Sequence, residues 1–134
     1  MITEETKQGL IDTAVQARLK AYAPYSEYKV GAALLSKQGV CYSGGNIENA
    51  VYPLTICAER VAVFKAISEG DMEFDAIAVV TSNGGFPCGS CRQVLAEFGL
   101  DTLVLIADEQ GQLVNETSVG DLLPEAFGRQ DLAT

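Results

Sequence analysis

Two short runs constrain this chain more than anything else in it: Cys57-Ala58-Glu59-Arg60 and, farther along, Pro87-Cys88-Gly89-Ser90-Cys91-Arg92. A lone Cys-x-x-Cys is a weak signal, shared by redox proteins, structural metal knuckles and chance. The additional Cys-Ala-Glu sharpens it. Three thiols drawn from two distant runs suit a tetrahedral Zn2+ held by Cys57, Cys88 and Cys91, with the fourth position kept for water, the pattern of a catalytic rather than a structural site. A dithiol redox protein has no use for Cys57, and a closed structural site needs a fourth cysteine or a histidine. Histidine is absent, and the spare thiol, Cys41, reads as an isolated mid-strand residue. The fold is therefore required to bring residue 57 against residues 88 and 91.

Glu59 follows Cys57 by two positions, so at a helix start it stands beside the ion without binding it. That is where a general base for a zinc-activated water belongs. Its plain reading is a first-turn glutamate favoured by the helix dipole. Arg60 and Arg92 each follow a run that holds a ligand. Three thiolates on a divalent ion leave an excess of negative charge, which either arginine offsets if it donates to a sulfur. The plain alternative for both is a surface arginine.

Charge narrows the substrate. Eighteen acidic against nine basic side chains give a net charge of −9, which repels a polyanion, so DNA and RNA are poor substrates. Without histidine there is no Ser-His triad and no imidazole base, and a carboxylate must move any proton. The 134 residues suit one domain, 1–134, and the 48% hydrophobic share leaves apolar surface for subunit contacts to cover. No stretch approaches the roughly 20 apolar residues that span a bilayer. Met1-Ile2-Thr3-Glu4-Glu5 lacks the marks of a signal peptide, so a cytoplasmic protein without a membrane partner is expected.

Periodicity predicts a helix over 3–22, then a hairpin of strands 28–34 and 40–42, and a polar cluster, Asn46-Ile47-Glu48-Asn49, on a loop or strand end. Thr55 is the expected N-cap of a helix over 56–69, with Cys57 in its first turn. The apolar run 74–80 reads as a central strand. Pro87 is expected to open a helix carrying Cys88 and Cys91 on one face, followed by a strand over 102–107, an antiparallel return over 112–114 and a short helix capped by Ser118. The order predicts an α/β fold in three layers, with a mixed five-stranded sheet and both cysteine helices on one face. Their N-termini then converge at one edge, where partial positive charge favours thiolate.

A resemblance extends these readings. Ala23-Pro24-Tyr25-Ser26, Val30 through Leu34, Asn46 through Ala50, Cys57 through Arg60, Pro87 through Gln93 and Leu122 through Phe127 resemble, in order, the short homotetrameric zinc-dependent cytidine deaminases of the three-cysteine type. Zinc-dependent nucleobase deaminases carry a similar signature, a ligand-x-Glu run followed by Pro-Cys-x-x-Cys. The resemblance implies a free nucleoside as substrate and hydrolytic deamination of cytidine and 2′-deoxycytidine. It implies that Asn46 and Glu48 bind the ribose 3′-hydroxyl, Tyr28 packs against the base, and the Ala58 amide meets the pyrimidine carbonyl. It also implies that Phe127, and main chain near Ala50 and Tyr52, serve a neighbouring subunit's pocket in a homotetramer with shared active sites. Taken without the resemblance, Asn46 and Glu48 satisfy turn backbone groups and Tyr28 and Phe127 are core. Residues 81–86 make a shorter loop than the family's, Phe86 stands where a small residue is usual, Tyr28 where phenylalanine is, and Pro53 where a small flexible residue is. The rival reading within enzymes is a deaminase of a modified cytosine nucleoside; outside them, a non-catalytic zinc or redox module.

Overall fold

The computed structural model describes residues 2–133. Helix α1 spans Glu4–Leu19. It opens on Thr3, whose hydroxyl accepts from the Thr6 amide at 3.1 Å, with Glu4 and Glu5 in the positively polarised first turn. Its apolar stripe buries Leu10, Ile11, Ala14 and Ala17. The helix stops short of residue 22 because that backbone is used elsewhere. The Tyr22 amide donates to the Asn46 carbonyl at 2.9 Å, and the Tyr22 carbonyl accepts from the Glu48 amide at 2.8 Å.

Strand β1, Gly31–Ser36, lies directly beneath α1. A Cβ on Gly31 would sit 2.0 Å from the Ala14 carbonyl oxygen, so only glycine lets the helix come this close. The strand begins at residue 31 and not at 28, since the backbone of 28–30 is committed to a side chain. Asn46 Oδ1 accepts from the Val30 amide, and Asn46 Nδ2 donates to the Tyr28 carbonyl, both at 2.9 Å. The expected hairpin is present, with β1 antiparallel to β2, Cys41–Gly45. Strand β2 runs on through Gly44 and Gly45, beyond the predicted end, because the next helix lies against it and a Cβ on Gly44 would meet Val61 at 2.7 Å.

A 3₁₀ turn at Tyr52–Leu54 leads to that helix, α2, Ala58–Ser68, which ends at Gly70 with φ +87°. The N-cap is Cys57 and not Thr55, whose hydroxyl instead accepts from the Asn49 amide at 3.2 Å. Strand β3, Phe74–Val80, is buried at six of seven positions, as its unbroken apolar run requires. Helix α3, Gly89–Glu97, crosses to β4, Leu103–Ala107, parallel to β3. Here too the N-cap is a cysteine, Cys88, so Pro87 precedes the helix. Strand β5, Leu113–Ser118, returns antiparallel, and Ser118 caps α4, Val119–Leu122, through the Asp121 amide. A final turn of helix, α5, spans Arg129–Leu132 and carries no apolar periodicity that would announce it.

The sheet order is β2-β1-β3-β4-β5, mixed and five-stranded as predicted. Helix α1 packs on Ala33, Ala76, Ala78 and Leu105. The opposite face carries α2 and α3, whose Ala62, Val63, Ala66 and Leu95 meet Leu34, Ile77, Val79 and Val104. Burying each large aliphatic side chain here contributes about 1.5–3 kcal/mol. Both cysteine-bearing helices thus stand on one face, each fixed by its own core contacts before any ligand is considered.

Candidate metal centre

Crossovers β2-α2-β3 and β3-α3-β4 bring the starts of α2 and α3 together at one end of the sheet. Cys57 and Cys88 are the N-caps, in extended backbone with ψ of 152° and 167°, and neither sulfur is spent on a capping hydrogen bond. Cys91 lies one turn into α3 and is fully buried. The Cys57 and Cys88 sulfurs are 3.9 Å apart, those of Cys88 and Cys91 3.5 Å, and all three lie within 4.8 Å of one another. A tetrahedral zinc with Zn–S near 2.3 Å places its sulfurs about 3.8 Å apart, so the donor set fits that ion. No disulfide closes among them; all four cysteines are free thiols.

The electrostatics agree with the donor set. A hydrogen bond from the Cys91 thiol, and then the Arg60 guanidinium, hold the Cys57 thiol well below its ordinary range against the effect of burial. The same hydrogen bond, with burial, pushes Cys91 up. A sulfur at a helix N-terminus gains further from the unpaired amides there. Arg60 Nη2 donates to Cys57 Sγ at 3.2 Å, and Arg60 Nε is buried with no hydrogen-bond partner among the described residues. A half-buried guanidinium aimed at sulfur favours a charged cluster over a neutral one.

Glu59 occupies the first turn of α2, 4% exposed. Burial, with the charge of Cys57 behind it, pushes its carboxyl up to about 7, against its own backbone amide and Arg60. A carboxyl poised there changes protonation near neutrality, as a proton carrier must. Arg92 is placed differently from Arg60. Its Nε donates to the Pro87 carbonyl at 2.7 Å and its Nη1 to the Leu122 carbonyl at 3.0 Å, tying α3 to α4, so it stiffens the approach to Cys88 and reaches no sulfur.

The polar cluster lies beside this end of the sheet, because Ile47 bridges to Ile56, the residue before Cys57. Asn46 holds the backbone of 28–30 with one lone pair of Oδ1 and one proton of Nδ2, which leaves each atom one further hydrogen bond to make. Glu48 accepts from the Tyr25 amide at 2.8 Å, the Ser26 amide at 3.1 Å and the Ser26 hydroxyl, contacts that lower its carboxyl, the hydroxyl most. Glu48 also lines a cavity of about 360 Å³ with Tyr25, Ser26, Tyr52 and Thr55. The Tyr28 hydroxyl donates to Asn83 Oδ1 at 2.7 Å, across to the segment that precedes Cys88. Ala50 and Tyr52 are both exposed, and Phe127 is exposed with its carbonyl accepting from Gln93 Nε2 on α3 at 2.8 Å. Phe127 lines a groove with Phe98 and Leu100, at the end of α3 away from the cysteines. Ser26 and Asn83 were given no role by the sequence. Ser26 stood within a matched segment, and Asn83 in an Asn-Gly pair that reads simply as a turn.

The chain is similar to known proteins over most of its length. The family model for the cytidine and deoxycytidylate deaminase zinc-binding region matches residues 4–107. A cytidine deaminase of Halalkalibacterium halodurans is 53% identical over 129 residues, covering 94% of this chain and 97% of that one. A crystal structure of cytidine deaminase from Burkholderia pseudomallei superposes with a TM-score of 0.84 at 48% identity, over 94% of this chain and 100% of the other. A blasticidin-S deaminase of Bacillus cereus is 31% identical over 130 residues, covering 90% of this chain and 91% of that one. A three-sulfur cluster on two helix starts, a glutamate buried beside it and a match running through both cysteine runs place the chain in the cytidine deaminase family, with that family's zinc-binding region.

Proposed function

We propose that the protein hydrolyses free cytidine and 2′-deoxycytidine to uridine and 2′-deoxyuridine with release of ammonia, a step of pyrimidine salvage. The observation that carries this is Glu59, buried within the first turn that follows Cys57 and poised near neutrality beside three sulfurs. Zn2+ held by Cys57, Cys88 and Cys91 supplies a Lewis acid that makes a water nucleophilic near pH 7.

The remaining chemistry belongs to the chain. Glu59 takes a proton from the water and gives it to N3 of the pyrimidine as the water oxygen bonds to C4. It then carries the second proton from that oxygen to the amino nitrogen. The C4–N bond breaks, ammonia leaves and the C4 carbonyl remains. The Ala58 amide, in the first turn of α2 with no partner within the helix, is free to meet the pyrimidine carbonyl. Arg60 spreads positive charge onto Cys57 and so keeps the cluster acidic enough to serve.

Asn46 and Glu48 take the ribose 3′-hydroxyl, and Tyr28 takes the base. An acidic protein accepts a neutral sugar this way where a phosphate would be repelled. Asn46 and Glu48 already brace the 25–30 backbone, so the same two side chains shape the pocket and meet the sugar. The active assembly is a homotetramer. Ile47, Leu54 and Phe64 are exposed around an apolar groove of about 700 Å³ that a second copy would cover. Phe127 and the segment of Ala50 and Tyr52 are then contributed across subunits. On this reading residues 1–134 act as one domain, in the cytoplasm.

A modified cytosine nucleoside is the second reading, weakened by the lower identity to the blasticidin-S enzyme and by the ribose pair. Zinc content and ammonia release from cytidine, measured on the purified protein and on Glu59→Ala, test the assignment. Turnover falls by roughly 10²–10⁴-fold or more in the variant while zinc stays bound. Retained activity would refute the role of Glu59, and a zinc-free, inactive parent would refute the enzyme.

A further inference from the structure

Two departures of this sequence from the family it resembles are the tyrosine at 28 and the short segment 81–86, which connects β3 to Cys88. They are joined in space. The Tyr28 hydroxyl donates to Asn83 Oδ1 at 2.7 Å. The same oxygen accepts from the Thr81 hydroxyl at 3.3 Å, and the Thr81 oxygen accepts from the Gly85 amide at 2.6 Å. Thr81 is 3% exposed at the end of β3, so Asn83 is braced from behind by a rigid element. Room for the phenol exists because residue 85 is glycine: a Cβ there would lie 2.6 Å from the Tyr28 oxygen. The other end of Tyr28 is fixed as well, since its carbonyl accepts from Asn46 Nδ2.

We propose that Asn83 is a positioning residue for the reaction, holding the Tyr28 ring in place against the pyrimidine through the phenol oxygen. The inference rests on the reading of Tyr28 as the contact to the base. Tyr28 is 40% exposed, and its ring would otherwise sample several rotamers. Pinned at its carbonyl and at its hydroxyl, it is ordered before substrate arrives, and binding no longer has to order it. Asn83 holds no proton that the reaction moves, so its contribution appears in KM and not in kcat. A single hydrogen bond of this kind is worth roughly two- to tenfold in affinity.

Steady-state kinetics on cytidine with the zinc-loaded, full-length protein test this. Asn83→Ala raises KM roughly two- to tenfold with kcat and zinc content held, whereas Asn83→Asp, which keeps the accepting oxygen, stays near the parent. Tyr28→Phe raises KM similarly, and adding Asn83→Ala to it raises KM no further. Gly85→Ala raises KM by displacing the phenol, and Tyr28→Phe in that background recovers part of the loss, reading the same contact without an Asn83 variant. If Asn83→Ala multiplies KM by the same factor with phenylalanine at 28 as with tyrosine, Asn83 acts independently and the proposal fails. If Tyr28→Ala leaves KM unchanged, the base contact itself is wrong and the inference falls with it; in the first failure Tyr28→Ala remains impaired, so the two are told apart.

Discussion

Helices α1 and α4 begin on Thr3 and Ser118, whereas α2 and α3 begin on Cys57 and Cys88, and the four N-caps share extended backbone. The two hydroxyls each accept an amide of the first turn, at 3.1 Å in both cases. The two sulfurs make no such bond. At α1 and α4 the capping oxygen is committed to holding the helix start. At α2 and α3 the helix starts forgo that stabilisation, about 1 kcal/mol each, and leave both the first-turn amides and the sulfurs available. Site and scaffold are therefore told apart in this fold by polar atoms that the local geometry would let cap a helix and that do not.

Making the two kinds of cap alike should have the greatest consequence. Cys88→Ser offers a hydroxyl able to close α3 as Ser118 closes α4, but too hard to hold zinc with the other two sulfurs. Zinc per chain should fall toward zero and deamination with it, by more than the roughly 10- to 100-fold typical of losing an outer partner, while the thermal midpoint of the chelated protein holds or rises. A variant that keeps zinc and turnover would overturn the assignment of Cys88.

Next in size is Arg60→Gln, which takes the donor from Cys57 without touching the ion. Competition with a metal chelator should show zinc affinity reduced roughly 10- to 100-fold, with the fold intact by circular dichroism. Unchanged affinity would mean that the 3.2 Å contact is incidental.

On the scaffold side, Thr3→Ala should lower stability by about 1 kcal/mol in urea unfolding and leave kcat/KM for cytidine where it was. A loss of activity without a loss of stability would erase the distinction between the hydroxyl caps and the sulfur caps.

The smallest effect concerns Glu48, whose carboxyl the Ser26 hydroxyl and the Ser26 and Tyr25 amides hold below its ordinary 4.5. Because the folded value lies below the unfolded one, its contribution is present above about pH 4.5 and is lost as pH falls through the folded value. Denaturation midpoints of the parent and of Glu48→Gln should therefore differ most at neutral pH and converge in acid. A gap that widens in acid would reverse the sign and remove the carboxylate from the brace.

Much of this was legible from residue spacing. The apolar run at 74–80 and the turn at 108–111 specified a central strand and an antiparallel return, since period and turn length are local properties. The boundaries that moved did so for tertiary reasons. Thr55 has the chemistry of an N-cap, yet its hydroxyl is drawn to Asn49, and the helix starts on the cysteine. Strand β1 loses residues 28–30 to the Asn46 carboxamide, a partner sixteen positions from Val30. Arg60 and Arg92 look equivalent in sequence, each next to a ligand run, and only the packing of α3 on α4 turns Arg92 toward the Leu122 carbonyl.

Residue identity was enough to nominate candidate donors and to point to the class of chemistry: three soft ligands, one carboxylate nearby and no histidine restrict what ion can bind and what can move a proton. It took the folded chain to set the sulfurs 3.5 to 3.9 Å apart between neighbours, to bury Glu59 enough to reach about 7, and to bring Tyr28 to Asn83. Those quantities depend on distances between segments far apart along the polypeptide and on the exclusion of water, which crossovers and packing create and no local pattern encodes.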